Sequence, residues 1–148
     1  MAEEAAADRQ AEANGAVRSG SGLRRADHLP LGRAAAVLLL TALDLDITLV
    51  VRGRDIFDAL QQLRLKLEPI GWYPLCKGAR VDCYPSGMAR DMGGAQAVYV
   101  LTIGKSGKSP LMGTLDPAAR DNVGTVAEQD AYFRRWLDTR RNDSGIAG

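Results

Sequence analysis

A chain of 148 residues with a formal charge of +1, 46% hydrophobic and 25% charged side chains has the length of one domain and enough apolar material for one core. That balance selects neither nucleic acid nor an acidic surface as partner, and two cysteines do not make a disulfide scaffold. The longest apolar run, residues 34–51, is interrupted by Asp44 and Asp46. It falls short of the roughly 20 uninterrupted apolar residues of a membrane span.

The opening MAEEAAADRQAEANG lacks the basic and apolar regions of a secretory signal, so a cytoplasmic setting with reduced thiols is expected. Fifteen Arg stand against four Lys, which a GC-rich bacterial genome explains more simply than phosphate binding. Residues 1–32 mix acidic and basic side chains with Ala, Gly and Ser, and bury too little to offset their ordering entropy. They are expected to be a disordered tail, and His28, the one histidine, lies there without a functional role.

From residue 33 the pattern becomes structural. RAAAVLLL (33–40) reads either as a short helix or as the approach to a strand. Leu43, Leu45, Ile47 and Leu49 then alternate with Asp44, Asp46, Thr48 and Val50, the period of a half-buried strand. Asp44 and Asp46 share its other face; with no His or third acid near, they read as a solvated face and not as a metal or acid/base pair. Asp55 caps a helix over 55–68 whose apolar face is Ile56, Leu60, Leu63 and Leu67, with Asp58, Arg64 and Lys66 on its solvated side. Pro69 ends it.

WYPLC (72–76) and RVDCY (80–84) read as a hairpin around Lys77-Gly78-Ala79. With the turn on Gly78-Ala79, Cys76 pairs with Val81 and Cys83 lies diagonally across, and a one-residue change in the turn sets the cysteines opposite; both read as small buried core residues. Pro85–Gly94 reads as a loop, either a binding surface or a structural one in which the Arg-Asp pair fastens it to its scaffold and Met88 and Met92 tuck beneath as core. AVYVLTI (97–103) is apolar on both faces and predicts a central strand; 111–115 predicts a last short one. Thr125-Val126-Ala127-Glu128 is a capping box opening a helix over 126–140, after which residues 142–148 are expected to fray. Arg134, Arg135, Arg140 and Arg141 fall towards the end of that helix, where its dipole favours cations.

Chemical motifs fail on inspection. The two Gly-Lys-Ser triplets at 104–109 lack the glycine five positions earlier that a phosphate loop requires, Tyr99 and Thr102 standing there, and they read as a flexible linker. Tyr84 occupies the position where a nucleophile elbow at Ser86 needs glycine. No catalytic residue, metal site or cofactor is assigned. What remains is recognition, by Ser86, Arg90, Asp91, Gly93 and Gly94: an Arg-Asp pair for bidentate hydrogen bonding and glycines that let a partner's backbone approach.

The expected architecture is a single α+β domain over 33–141, a mainly antiparallel sheet of about five strands with helices 55–68 and 126–140 on one face. At the level of fold alone this layout resembles bacterial immunity proteins and other interaction modules. The expected function is a small protein-interaction module, of immunity or accessory type, whose partner is another protein bound through the 85–94 loop. The alternative is a small enzyme or ligand binder with a pocket around Cys83, Arg80, Arg90 and Asp91.

Overall fold

The computed structural model describes residues 16–18, 23–26, 36–42, 47–105 and 109–147. Among them the chain runs β1 (Ala16–Arg18), β2 (Leu23–Arg25), β3 (Ala36–Ala42), β4 (Ile47–Gly53), α1 (Ile56–Leu67), β5 (Tyr73–Leu75), β6 (Cys83–Tyr84), α2 (Gly87–Gly93), β7 (Ala97–Val100), β8 (Met112–Gly113) and α3 (Val126–Ala147). The fold is α+β. The strands form two antiparallel sheets of three, ordered β2-β3-β4 and β6-β7-β8, with β1 pairing β5 in parallel, where one sheet of about five strands was expected. No helix among the described residues is long and apolar enough to cross a membrane.

The sheets separate because α1 buries two faces. Ile56, Leu60, Leu63 and Leu67 join Leu38, Leu40 and Val51 of the first sheet in the main core. Phe57, from the other side of the helix, joins Cys83, Ala95 and Val98 under the second sheet. Gly53 lets β4 run directly into α1: a Cβ there would stand 2.4 Å from the backbone nitrogen of Ala59. Asp55 caps the helix by accepting from the Asp58 N–H at 2.7 Å, and the chain leaves it through a 3-10 turn at Glu68–Ile70, with Pro69 in its first half.

The segment 33–40, open between helix and strand in sequence, supplies most of β3. Ala36, Val37, Leu38 and Leu40 are all buried, as a strand between two neighbours requires. Strand β7 holds the same central position between β6 and β8. Two strands fall inside the stretch expected as a tail: β1, and β2, whose Leu23 opposes Leu40 and is buried with Ala26. His28, Asp44, Asp46, Leu43 and Leu45 lie outside the described residues, as do 106–108 of the Gly-Lys-Ser linker. Helix α3 extends to Ala147, beyond the expected end at 140.

The hairpin over 72–84 does not form. Strand β5 pairs with β1 and β6 with β7, while 77–79 is a 3-10 turn. The competing partners are in the 112–123 region: the N–H groups of Lys77 and Gly78 donate to the carbonyls of Asp116 and Thr114, and Arg80 bridges to Val123. Cys76 and Cys83 are free and buried, in different cores.

Such a segment leaves carbonyls that no ladder satisfies, and two helix side chains take them up. Arg64, read from sequence as solvated, is 1% exposed. It donates through Nη1 to Gln129 Oε1 and through Nη2 to the carbonyls of Gly124 (2.9 Å) and, more distantly, Ala79 (3.5 Å). Gln129 Nε2 in turn lies 2.9, 2.8 and 2.8 Å from the carbonyls of Gly78, Arg80 and Cys83. Burial pulls the Arg64 pKa below its ordinary value, against the attraction of Cys76 and of the acids Glu68, Asp130 and Glu128. Helix α3 begins with the expected capping box, Thr125 Oγ1 accepting from the Glu128 N–H at 3.1 Å and Glu128 Oε1 from the Thr125 N–H at 3.0 Å. Glu68 Oε1 adds a cap from outside, accepting from the Val126 N–H at 2.7 Å.

Gln129→Ala removes the Nη1 partner of the buried Arg64 guanidinium and the side-chain donor to the carbonyls of Gly78, Arg80 and Cys83. It is expected to lower the unfolding free energy by about 3 kcal/mol, measured by urea denaturation. The exposed control Gln62→Ala should stay within about 0.5 kcal/mol of the parent chain.

Candidate functional site

The segment expected as a loop is a short helix, α2, bounded by the residues that had suggested irregularity. Ser86 is its N-cap, the hydroxyl accepting from the Ala89 N–H at 3.0 Å. Gly94 is its left-handed C-cap at φ 63°. Ala95 follows at φ 56°, a conformation that disfavours alanine, and is held there by surrounding bonds. Its N–H donates to the Ala89 carbonyl at 2.9 Å and its carbonyl accepts from Thr114 Oγ1 at 2.7 Å. The Gly94 carbonyl accepts from the Ile56 N–H at 2.9 Å, which ties the end of α2 to the start of α1.

Arg90 makes the second tie. Its Nε lies 2.9 Å from Asp55 Oδ2, the carboxylate that also caps α1, and its guanidinium carbon is 5.5 Å from the centroid of Phe57. Its Nη2 is buried with no hydrogen-bond partner among the described residues. Burial works against the Arg90 charge, but the hydrogen bond and charge of Asp55 outweigh it, and its pKa rises. The expected Arg90-Asp91 pair is therefore replaced by Arg90-Asp55, and Asp91 stands exposed on α2.

Met88 and Met92 are not core. They are 72% and 84% exposed, one helical turn apart on the outer side of α2. The helix forms a ridge with a hollow at each end. At its start Ser86 and Gly87 border an aromatic groove of about 170 Å³ shared with Tyr84, Tyr99, Phe133 and Trp136. Tyr84 and Phe133 stack at 3.8 Å with their planes 6° apart, and Phe57 meets Tyr84 edge-on at 4.9 Å. At its end Met92, Gly93 and Gly94 border a more polar hollow of about 300 Å³ with Arg25, Arg54 and Asp55. Of the five sequence-derived site residues, Ser86 thus reaches one hollow, Gly93 and Gly94 the other, and Arg90 fastens the ridge from beneath. The aromatic groove escaped the sequence reading because its walls come from residues about 50 apart, with no local signal joining them.

The residues of the enzyme alternative take separate partners. Arg80 forks onto Asp82 at 2.9 and 2.8 Å, Arg90 is held by Asp55, and Asp91 is exposed. Burial, with the Asp82 charge adding to it, pushes the Cys83 thiol from 9.0 up to about 12. Burial pushes Cys76 likewise up to about 12, against the attraction of Arg64. Both thiols are protonated at neutral pH and are poor nucleophiles. No protein-family model matches the chain, and no curated protein matches it significantly.

Arg90→Ala leaves the largely buried Asp55 carboxylate without its cation and loosens α2; a loss of about 2 kcal/mol is expected in urea denaturation. The thiols should alkylate in the native protein more slowly at pH 8 than in the same chain unfolded in denaturant. Because folding raises both thiol pKa values, their stabilisation is complete below about pH 9 and is lost as pH rises through 12. Burial raises Tyr84 in the same direction. Stability measured from pH 8 upwards should fall, and less steeply in Cys83→Ala.

Proposed function

We propose that this chain is a small protein-binding module that docks its partner on the ridge formed by α2. The observation that carries this reading is the pair Met88 and Met92, 72% and 84% exposed on a helix that is capped at both ends and pinned to α1. Two large apolar side chains at helical spacing gain nothing there from the protein's own core. Unbranched and polarizable, methionine adapts to a partner's surface. The pinning also supports the reading: a partner binding α2 need not order it first, so little entropy is lost in docking. Asp91, exposed between the methionines, supplies a charge to orient the complex. The setting we infer is the bacterial cytoplasm, and the type that of an immunity or accessory protein, in keeping with two cysteines left as free thiols.

A photo-crosslinking side chain placed at position 92 in the native host should capture one defined protein, and the same group at the exposed position 62 should not. Met88→Ser with Met92→Ser, and separately Asp91→Ala, should reduce recovery of that protein by about tenfold or more. All are exposed positions, so the melting temperature should stay within about 2 °C of the parent. Full recovery of every partner by these variants would remove α2 as the docking surface.

A further inference from the structure

The groove at the start of α2 has a chemistry of its own. Its walls are the stacked Tyr84 and Phe133 rings, Trp136, Leu101 and Leu137, and Arg140 stands at its edge. At about 170 Å³ it is close to the roughly 150 Å³ of an apolar cavity known to hold one benzene ring. The space therefore matches a single aromatic side chain and not a longer segment.

The charged residue in its lining is a cation, Arg140. The Arg140 guanidinium carbon lies 5.2 Å from the Trp136 ring centroid, and Arg140 is exposed with no carboxylate partner among the described residues. Arg134, also exposed, precedes Leu137 by one turn. Lys105 is adjacent, its carbonyl accepting from Trp136 Nε1–H at 3.1 Å, and its side chain is exposed. Arg134 has Asp130 one turn before it and Asp138 one turn after it, so its charge is offset, and the cationic excess at the groove is that of Arg140 and Lys105. The helix dipole does not account for this placement. Because α3 runs to Ala147, Arg134 and Arg140 lie well before its last turn, where the dipole acts.

We infer that this groove takes one aromatic side chain from an acidic segment of the partner, its ring against the half-buried Tyr84 and Phe133 and a neighbouring carboxylate on Arg140, which covers the buried Trp136 ring. A guanidinium already stacked on an indole loses little freedom in accepting a bidentate carboxylate. The inference rests on α2 as the docking ridge, since Gly87 borders the groove and Met88 follows it directly, so one partner covers both. With a net charge of +1 the chain lacks the excess of cations that backbone binding of nucleic acid requires.

The probe is a synthetic peptide with one Phe flanked on each side by three Asp or Glu residues. Calorimetry should show saturable binding to the full chain, and the Trp136 indole N–H resonance should shift. Replacing the peptide's Phe by Ala, or its acids by Lys, should weaken binding by about tenfold or more, as should Arg140→Glu in the protein. Arg140 is exposed, so this variant keeps its melting temperature. Equal binding of the Phe and Ala peptides, no saturable binding at millimolar concentration, or tighter binding of a twelve-nucleotide oligothymidine would each overturn the inference. Crosslinking from position 92 separates the two readings. If it still captures its partner while the peptide fails, the ridge stands and the groove does not; if the peptide binds and the crosslink captures nothing, the reverse holds.

Discussion

The fold depends on a buried polar junction between two helices distant in sequence. Arg64 of α1 and Gln129 of α3 meet beneath the irregular segment 77–84 and take up carbonyls at Gly78, Arg80, Cys83 and Gly124. A buried guanidinium without a contacting carboxylate is costly by itself. It is tolerated here because its N–H groups find neutral acceptors in Gln129 Oε1 and the Gly124 carbonyl. The junction also sets where α3 lies, and therefore where Phe133 and Trp136, one and two turns beyond Gln129, meet Tyr84.

Helix α1 organises what remains. Its leucine face closes the first sheet and Phe57 closes the second, while Asp55 at its start both caps the helix and holds Arg90. The candidate site is thus attached to a helix with seven buried residues. Its exposed features, Met88, Asp91 and Met92, belong to a short element whose own hydrogen bonds could not keep it helical in isolation. Rigidity in α2 is borrowed from α1.

Local features were legible in the sequence wherever one segment contained the whole signal. Asp55, the leucine spacing and Pro69 define α1; Thr125 and Glu128 define the start of α3; the apolar run at 97–100 marks a central strand. The helix at 87–93 was missed, because the concentration of Pro and Gly reads as a loop although Ser86 and Gly94 are the residues that cap it. Arg64 was not, because helical periodicity assigns residues to faces without saying how many faces are buried. Nor was the failure of the 72–84 hairpin, since the partners that displaced it, Thr114, Asp116 and Val123, lie about 35 to 45 residues further on. The groove shares this property: Tyr84 and Phe133 touch only through the tertiary fold.

The carboxylate of Glu68, at the exit of α1, caps the first N–H of α3. This contact orders assembly in time. On a chain emerging from the ribosome, α1 can form and pack against the strands that precede it before residue 126 exists. Helix α3 can dock only afterwards, onto a cap and a set of carbonyls already in place. Until then Tyr84 has no Phe133 to stack on and the groove has only one wall. The ridge of α2 is available early, the groove only once the C-terminal helix has arrived, so a nascent or truncated chain presents the ridge without the groove.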